Sequence, residues 1–402
     1  MSQVTAPGSE RQIVYVGPFD FPQRNAAAQL ACTMTKVFVE CGYQVTVVGR
    51  QKGDVDLAAN TTDDVGVRLI GTRSHLAFGL RAIRLCSDEL RSMSKVRILI
   101  AYNPNSVLLI GLLVLSRILG ITFIAHLTEW YSNPPWRGGV LRSAGKRLDT
   151  FLRMRILSRM AHGLILSSSY LSKVYSTKQC LVIPTLSDLT QLRPPETSGS
   201  EPTIVYAGIP FERGKLARPE QMKDRLDTVM IYFAELARAG VAFKFDIFGL
   251  TEVDFRRALP ESGTCLRDLA SRVTFHGYIC SSEVHHRLRQ ADFTVLIRDD
   301  NRVTRAGFPT KITESINAGT PVLLSAPGDA EMYVVHGQTG FLLGSDPDAA
   351  VRTLAAALTL DPTDRAVLKA NCRADTRLRA STWTPQVDAF LSKIVANPRS
   401  RT

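Results

Sequence analysis

Apolar residues along this chain fall in short unbroken runs rather than in strict alternation with polar ones. "IVYV" at 13–16 and "QVTVVG" at 44–49 are runs of this kind, and similar ones recur at 66–70, 97–102, 121–126, 163–167 and 180–183. Such runs are expected of strands covered on both faces, which is the situation in a parallel sheet. Between several of them lie helix-length segments. In the first, Leu30, Val37 and Cys41 keep helical spacing, Asn25 is placed to cap the start and Gly42 to end it. Near 193 the texture changes: "RPPETSGSEP" (193–202) reads as a linker. The alternation then restarts with "TIVYAG" at 203, "FKFDIFG" at 243, "RVTFHG" at 272, "DFTVLIR" at 292 and "PVLLS" at 321. The pattern predicts an α/β protein of two Rossmann-like doubly wound parallel-sheet domains in series, over 1–195 and 196–402. The second domain is expected to end in a closing helix, "STWTPQVDAFLSKIV". Ligands are expected in the cleft between the domains, since parallel sheets bind at the carboxyl ends of their strands.

One segment is open to a different reading. "VLLIGLLVLSRILGITFIA" (107–125) approaches the ~20 residues a membrane span needs. Arg117 interrupts it, Gly120 reads as a helix stop, and the β-branched "ITFIAH" reads as a strand, so a buried helix followed by a buried strand is expected. An apolar surface touching a membrane is the alternative.

Composition narrows the class. With 402 residues, 45% hydrophobic and 21% charged, the chain can bury cores of ordinary size. A net charge of +12 favours polyanions, anionic lipid or phosphorylated small molecules. The seven cysteines are dispersed without a C-x-x-C pair, which fits reduced thiols in a cytoplasmic protein. The opening "MSQVTAPGSERQ" has no apolar stretch of the kind found in secretion signals. No nucleic-acid partner is expected, because basic strands interleaved with aromatics and a reading helix are both missing.

The richest chemistry lies in "GFPTKITESINAG" (307–319), which follows a strand and a loop carrying Arg298, Arg302 and Arg305. A helix N-terminus presents unpaired N–H groups and favours anions, phosphate above all. Lys311 adds a full charge there. Glu314, about one turn on, can accept hydrogen bonds from paired hydroxyls such as those of a ribose. Phosphate and ribose together suggest a nucleotide. A capped surface helix is the plainer alternative.

This stretch resembles the donor-site signature of family 4 glycosyltransferases, retaining GT-B enzymes that move a sugar from a nucleotide diphosphate sugar to an acceptor. Glu314, Gly319, Pro321 and Val322 match the second half of the signature. The first of its two glutamates would fall at Ala306, so the chain is similar instead to members with "FPTK" ahead of the second glutamate. The resemblance implies a metal-independent hexosyl transfer with the nucleotide sugar as donor substrate and no further cofactor. Its implied donor-binding residues are Gly277, Tyr278, Ile279, Arg305, Phe308, Pro309, Thr310, Lys311 and Glu314. Lys223 is implied as a catalytic diphosphate ligand. Its upstream basic partner is left open among Arg213, Lys215 and Arg218, with Arg213 set beside Lys223 as catalytic. On the acceptor side it implies His126 and Glu129 as catalytic, with Gly17, Arg24 and Asn25 nearby, while Trp130 and Tyr131 read as core. No metal site is expected: "DVD" at 54–56 is a short chance-prone pattern, and the adjacent His285 and His286 cannot face one ion from a helix.

"RGGVLRSAGKRLDTFLRMRILSRM" (137–160) combines many cations with an apolar stripe, and 73–97 adds more positive charge. Segments of this form are drawn to anionic lipid. A glycan or lipid-linked glycan acceptor, and a cytoplasmic protein peripheral to the inner face of the membrane, follow as expectations. The alternative is a helix face packed on the first sheet.

Overall fold

Strand β1 (Arg11–Asp20) is an inner strand of the first sheet of this computed structural model, which describes residues 11–20, 26–51, 64–72, 74–93, 96–131, 140–187, 199–218, 222–325 and 327–396. The sheet continues through helix α1 (Ala26–Glu40), β2 (Gln44–Gln51), β3 (Val65–Gly71), α2 (His75–Ser92) and β4 (Val96–Tyr102). It is completed by α3 (Ser106–Leu119), β5 (Thr122–Leu127), α4 (Val140–Phe151), β6 (Gly163–Leu166), α5 (Ser169–Val174) and β7 (Cys180–Val182). Its strands run parallel in the order β3-β2-β1-β4-β5-β6-β7. β5 is buried along its whole length, as its apolar run requires.

The segment 107–125 resolves into helix and strand. Asn105 caps α3 by accepting from the Leu108 N–H, and Gly120 ends the helix in the left-handed region at φ 62°. Among the described residues no helix is long and apolar enough to cross a membrane.

The second unit contains β8 (Thr203–Ala207), α6 (Leu226–Arg238), β9 (Lys244–Phe248), α7 (Glu252–Ala258), α8 (Gly263–Asp268), β10 (Val273–Gly277) and α9 (Ser281–Gln290). It goes on with β11 (Phe293–Ile297), α10 (Arg302–Ala306), α11 (Thr310–Ala318), β12 (Val322–Ser325), β13 (Gly340–Leu342), α12 (Pro347–Leu358) and α13 (Pro362–Ala374). The parallel strand order is β10-β9-β8-β11-β12-β13. The stretch after β11, read from the sequence as a loop, contains the short helix α10, because Asn301 and Thr304 form a reciprocal cap.

The compact units are 1–186 with 380–402, and 187–379. The last helix, α14 (Ala380–Ala396), therefore belongs to the first unit, whereas the sequence placed 196–402 in one domain. The cause is a stripe at helical spacing, Val387, Leu391 and Ile394, that packs into the core of the first unit. Arg11 fixes the register of this packing, reaching Asp388 at 3.1 Å and Ser392 at 2.9 Å.

Candidate functional site

In the second sheet the strand order reverses between β8 and β11, so the connections leave to opposite sides and a crevice opens at the carboxyl ends of these two strands. Gly208 follows β8 and Arg298 follows β11. Into the same place the segment before α6 brings Asp224, which is buried.

Asp224 organises the site. Its Oδ1 accepts from Arg298 Nε at 2.8 Å, and its Oδ2 accepts from Lys311 Nζ at 2.6 Å and from the Tyr206 hydroxyl at 3.1 Å. Burial opposes the charge on Asp224, but the two cations outweigh it and hold the carboxyl well below the usual range. Two cations against one carboxylate leave the cluster with a net positive charge. Burial, reinforced by Asp224, pushes the Tyr206 hydroxyl far up, so it stays protonated and donates. Lys311 Nζ lies 5.2 Å from the Tyr206 ring centroid, and a Cβ at Gly208 would meet Nζ at 2.8 Å. Glycine there gives the lysine its room.

The neighbouring strand ends are also glycines. The Gly208 N–H donates to Phe248 O, the Gly249 N–H to Gly277 O, and the Gly277 N–H to Leu250 O. At Gly249 φ is 101°, and a Cβ would sit 2.6 Å from the Gly208 carbonyl oxygen, so no other residue lets these backbones approach. Arg213 Nη2 donates to Gly249 O at 2.6 Å. Of the three basic residues left open, Arg213 is thus the one bonded to the glycine strand ends, while Lys215 pairs with Glu212.

Helix α11 starts at Thr310 after the buried Pro309, and no side chain caps it. Lys311 therefore stands in a first turn that carries the positive end of the helix dipole. Glu314, half-buried one turn on, lines a small cavity of about 20 Å³ with Tyr206, Ala207, Leu296, Lys311 and Ile312. That space is enough for about one water. Burial pushes the Glu314 carboxyl up to about 7, with Lys311 pulling the other way. No described residue donates a hydrogen bond to it.

The other predicted donor residues lie around this frame. Lys223 is half-buried and directly precedes Asp224. Phe308 is buried and meets Tyr333 edge-on, with ring centroids 5.2 Å apart, ahead of the start of α11. Arg305 is engaged by Asp300 at the surface. Gly277 ends β10 at φ 68°, Tyr278 beside it is highly exposed, and Ile279 packs on a small apolar cluster under β8. Ala306, where the resemblance would place a first glutamate, is buried.

In the first unit, His126 ends β5 but is enclosed rather than presented, with 2% exposure. It stacks on Tyr15, whose hydroxyl lies 2.9 Å from His126 Nδ1, and meets Tyr102 edge-on. Burial lowers its pKa to about 3, so the ring is neutral. Glu129 is half-buried, and after burial itself its charge contributes to raising the Tyr131 hydroxyl to about 12. Trp130 is buried, with the Arg155 guanidinium over its ring. Gly17 is constrained by packing: a Cβ would meet the Phe19 ring at 2.6 Å and Tyr102 Cβ at 2.9 Å. Arg24 and Asn25 lie outside the described residues, as does 54–56.

Sequence reading missed Asp224 and Tyr206. A signal for the cluster existed: Arg298 follows directly on the mostly apolar run "FTVLI", where a cation must find a buried partner. It also missed Asn103, which takes a left-handed φ of 39° at the end of β4 and exchanges hydrogen bonds with Thr128 at 2.7 and 3.0 Å.

Residues 214–359 match the family model described as Glycosyl transferases group 1. No curated protein matches the chain. Among solved structures, Alr3699/HepE of Anabaena in complex with UDP and glucose is similar, with TM-score 0.63 and 13% identity over 95% of this chain and 100% of that one. Sucrose-phosphate synthase (tll1590) of Thermosynechococcus elongatus has TM-score 0.65 and 14% identity over 96% and 99%. The lipopolysaccharide outer core galactosyltransferase WaaB in its apo form has TM-score 0.60 and 13% identity over 95% and 99%. At these identities the likeness is one of fold, two Rossmann-like parallel-sheet domains of the GT-B class.

Proposed function

We propose that the chain is a glycosyltransferase that takes a sugar from a nucleotide diphosphate sugar. The observation that carries this reading is the net positive cluster of Lys311, Arg298 and Asp224 at the switch point of the second sheet, beside the uncapped start of α11 and the Glu314 carboxyl. As the bond from the sugar's anomeric carbon to the diphosphate breaks, negative charge grows on the departing phosphate. Fixed cations and helix N–H groups stabilise that charge most in the transition state. Lys223 and Lys311 are assigned to it, with Arg213 beside the glycine strand ends. The strand-end glycines leave room for a diphosphate to approach backbone. Glu314 is assigned to the ribose hydroxyls, and the exposed Tyr278 ring to the base.

The reading extends to transfer with retention of configuration, in which the departing phosphate takes the acceptor proton. It also extends to a lipid-linked or growing surface polysaccharide as acceptor, and to charge stabilisation by Lys and Arg in place of a metal ion. The neighbours' names support the donor class: Alr3699/HepE is in complex with UDP and glucose, and WaaB is a galactosyltransferase of lipopolysaccharide. A screen across nucleotide sugars, read as release of nucleoside diphosphate, tests the proposal. One donor is expected to be turned over without added metal and in the presence of a chelator.

A second reading follows from the buried Ala306, which leaves the usual first carboxylate without a counterpart. It is a protein of the same fold that binds an active transferase as a scaffold. No release from any nucleotide sugar, together with no calorimetric uptake of nucleoside diphosphates, would favour it.

A further inference from the structure

Helices that cover an α/β sheet turn one face to the sheet and normally a polar one to water. α3 departs from this rule. Its exposed positions Val107, Ile110, Val114 and Ile118 are 39%, 46%, 51% and 72% accessible and fall on one stripe at helical spacing, while Leu108, Leu109, Leu112 and Leu113 bury the opposite face. The only charge beside the stripe on α3 is the exposed Arg117.

Neighbouring helices extend the apolar surface. α2 packs alongside α3, with Gly79 against Val107 and Leu108, and Gly111 against Ile83. It presents Leu76 and Leu80, both more than half exposed, next to the start of α3. The end of α4 reaches the same place: Asp149 Oδ1 accepts from the Ser106 N–H at 2.8 Å, and the Ser106 hydroxyl donates to Asp149 O at 3.0 Å. His75, at the start of α2, is close enough to Asp149 and Arg153 to feel both charges. Leu148 and Phe151 flank Asp149 and are both more than half exposed. Three helix ends thus bring exposed aliphatic and aromatic side chains onto one corner of the first unit, with the α3 stripe leading away from it.

The exposed charges around this surface are mostly positive. Arg81, Arg84, Arg117, Lys146 and Arg155 are exposed on the same three elements and the turn after α4. Asp149 is half-buried and held by Ser106, and Asp88 near the far end of α2 is the exposed acid. A second copy of the chain fits poorly here, since a two-fold pairing would set these cations against themselves. An anionic bilayer fits on both counts: apolar side chains enter the boundary between headgroups and acyl chains while the surrounding cations meet lipid phosphates.

We infer that the corner formed by α2, α3 and the end of α4 is a docking surface for an anionic lipid bilayer, with the α3 stripe as its inserting edge. The surface is distinct from the Asp224 cluster, and its test reads no sugar transfer, so it stands or falls independently of the proposed activity.

The experiment is flotation of the full chain with vesicles of phosphatidylcholine alone and of phosphatidylcholine with roughly one-third phosphatidylglycerol, at low and high salt. The protein is expected to float with the anionic vesicles at low salt and to stay behind with the neutral ones. The triple variant Ile110→Ser, Val114→Ser, Ile118→Ser is expected to lose about tenfold or more in partitioning with an unchanged melting temperature. Should the triple variant not fold, Ile118→Ser alone, at the most exposed position of the stripe, must weaken flotation severalfold. The variant Arg81→Ala, Arg84→Ala, Arg117→Ala is expected to bind weakly and to lose most of the salt dependence. No flotation of the native chain at low salt overturns the inference, and so does full binding by a folded apolar-stripe variant. Light scattering that shows a native dimer which the stripe variant converts to monomer overturns it in favour of a second copy.

Discussion

Lys311 donates to Asp224 across 2.6 Å, and this contact ties the first turn of α11 to the segment that leads into α6, 87 residues earlier in the chain. The same carboxylate holds Arg298, which is buried, so removing its charge strands a guanidinium away from water. Asp224→Asn is expected to destabilise the protein by about 3 kcal/mol or more, read from urea unfolding monitored in the second unit. The pH dependence follows from the depressed carboxyl. Its stabilising contribution is complete above the ordinary Asp value of 3.8 and is lost only as pH falls further, toward the lower folded value. A loss under about 0.5 kcal/mol would show that the cluster relaxes without its anion.

Lys223→Ala and Lys311→Ala are each expected to lower turnover by two decades or more, the usual consequence of removing a donor to developing charge. Lys311→Ala leaves Asp224 paired with Arg298 and should cost little, so a loss of turnover without a loss of fold identifies the lysine as part of the donor site. Near-normal turnover in either variant removes that residue from the mechanism.

Glu314 gives a signature near neutrality. Burial raises its carboxyl from the ordinary 4.5 to about 7, so the folded protein holds a proton there that the unfolded chain has released. Stability should therefore fall as pH rises from about 4.5 to 7 and level off above, by roughly 1–3 kcal/mol. Glu314→Gln should abolish that slope. Because Lys311 opposes the rise, Lys311→Ala should move the midpoint upward. If the ionised carboxylate receives the ribose hydroxyls, affinity for a nucleoside diphosphate should increase through the same range, and the Gln variant should show a flat profile.

Much of the fold and part of the candidate site were legible in the sequence. The largely apolar runs "FTVLI" and "TFIAHL" became strands buried along their whole length, the setting of a doubly covered sheet. Gly120 stopped α3 because the left-handed conformation it adopts is cheap for glycine alone. Lys311 and Glu314 stood out because a cation and a carboxylate open a helix that ends in glycine. Asp224 did not stand out: nothing local distinguishes a carboxylate whose partners come from three other parts of the chain. The same holds for α14. Its apolar stripe predicts a packed helix, but its partner is set by contacts with Arg11 and the first core, far away in sequence. His126 illustrates the opposite limit, since a histidine at a strand end can as well be capped from within, here by the Tyr15 hydroxyl.

His126 is expected to stay neutral throughout the working range. Its folded pKa of about 3 lies below the ordinary 6.5, so stability linked to this ring is complete above about pH 6.5 and declines as pH falls below it. Proton-detected titration of the imidazole should show no transition between about pH 5 and about pH 8. Tyr15→Phe, which removes the hydroxyl, should cost about 1–2 kcal/mol without introducing a new limb in the pH profile of activity. A titrating limb that disappears in His126→Gln would instead place this ring in proton transfer.

Calorimetric titration of the native chain with UDP, ADP and GDP is the most direct check on the central claim that the Asp224 cluster and α11 bind a nucleoside diphosphate. One of the three is expected to bind at a single site, with affinity reduced at least about tenfold in Lys311→Ala while the variant remains folded. Absence of uptake for all three at slightly alkaline pH, where Glu314 is ionised, contradicts the account, and equal affinity in Lys311→Ala moves the site elsewhere.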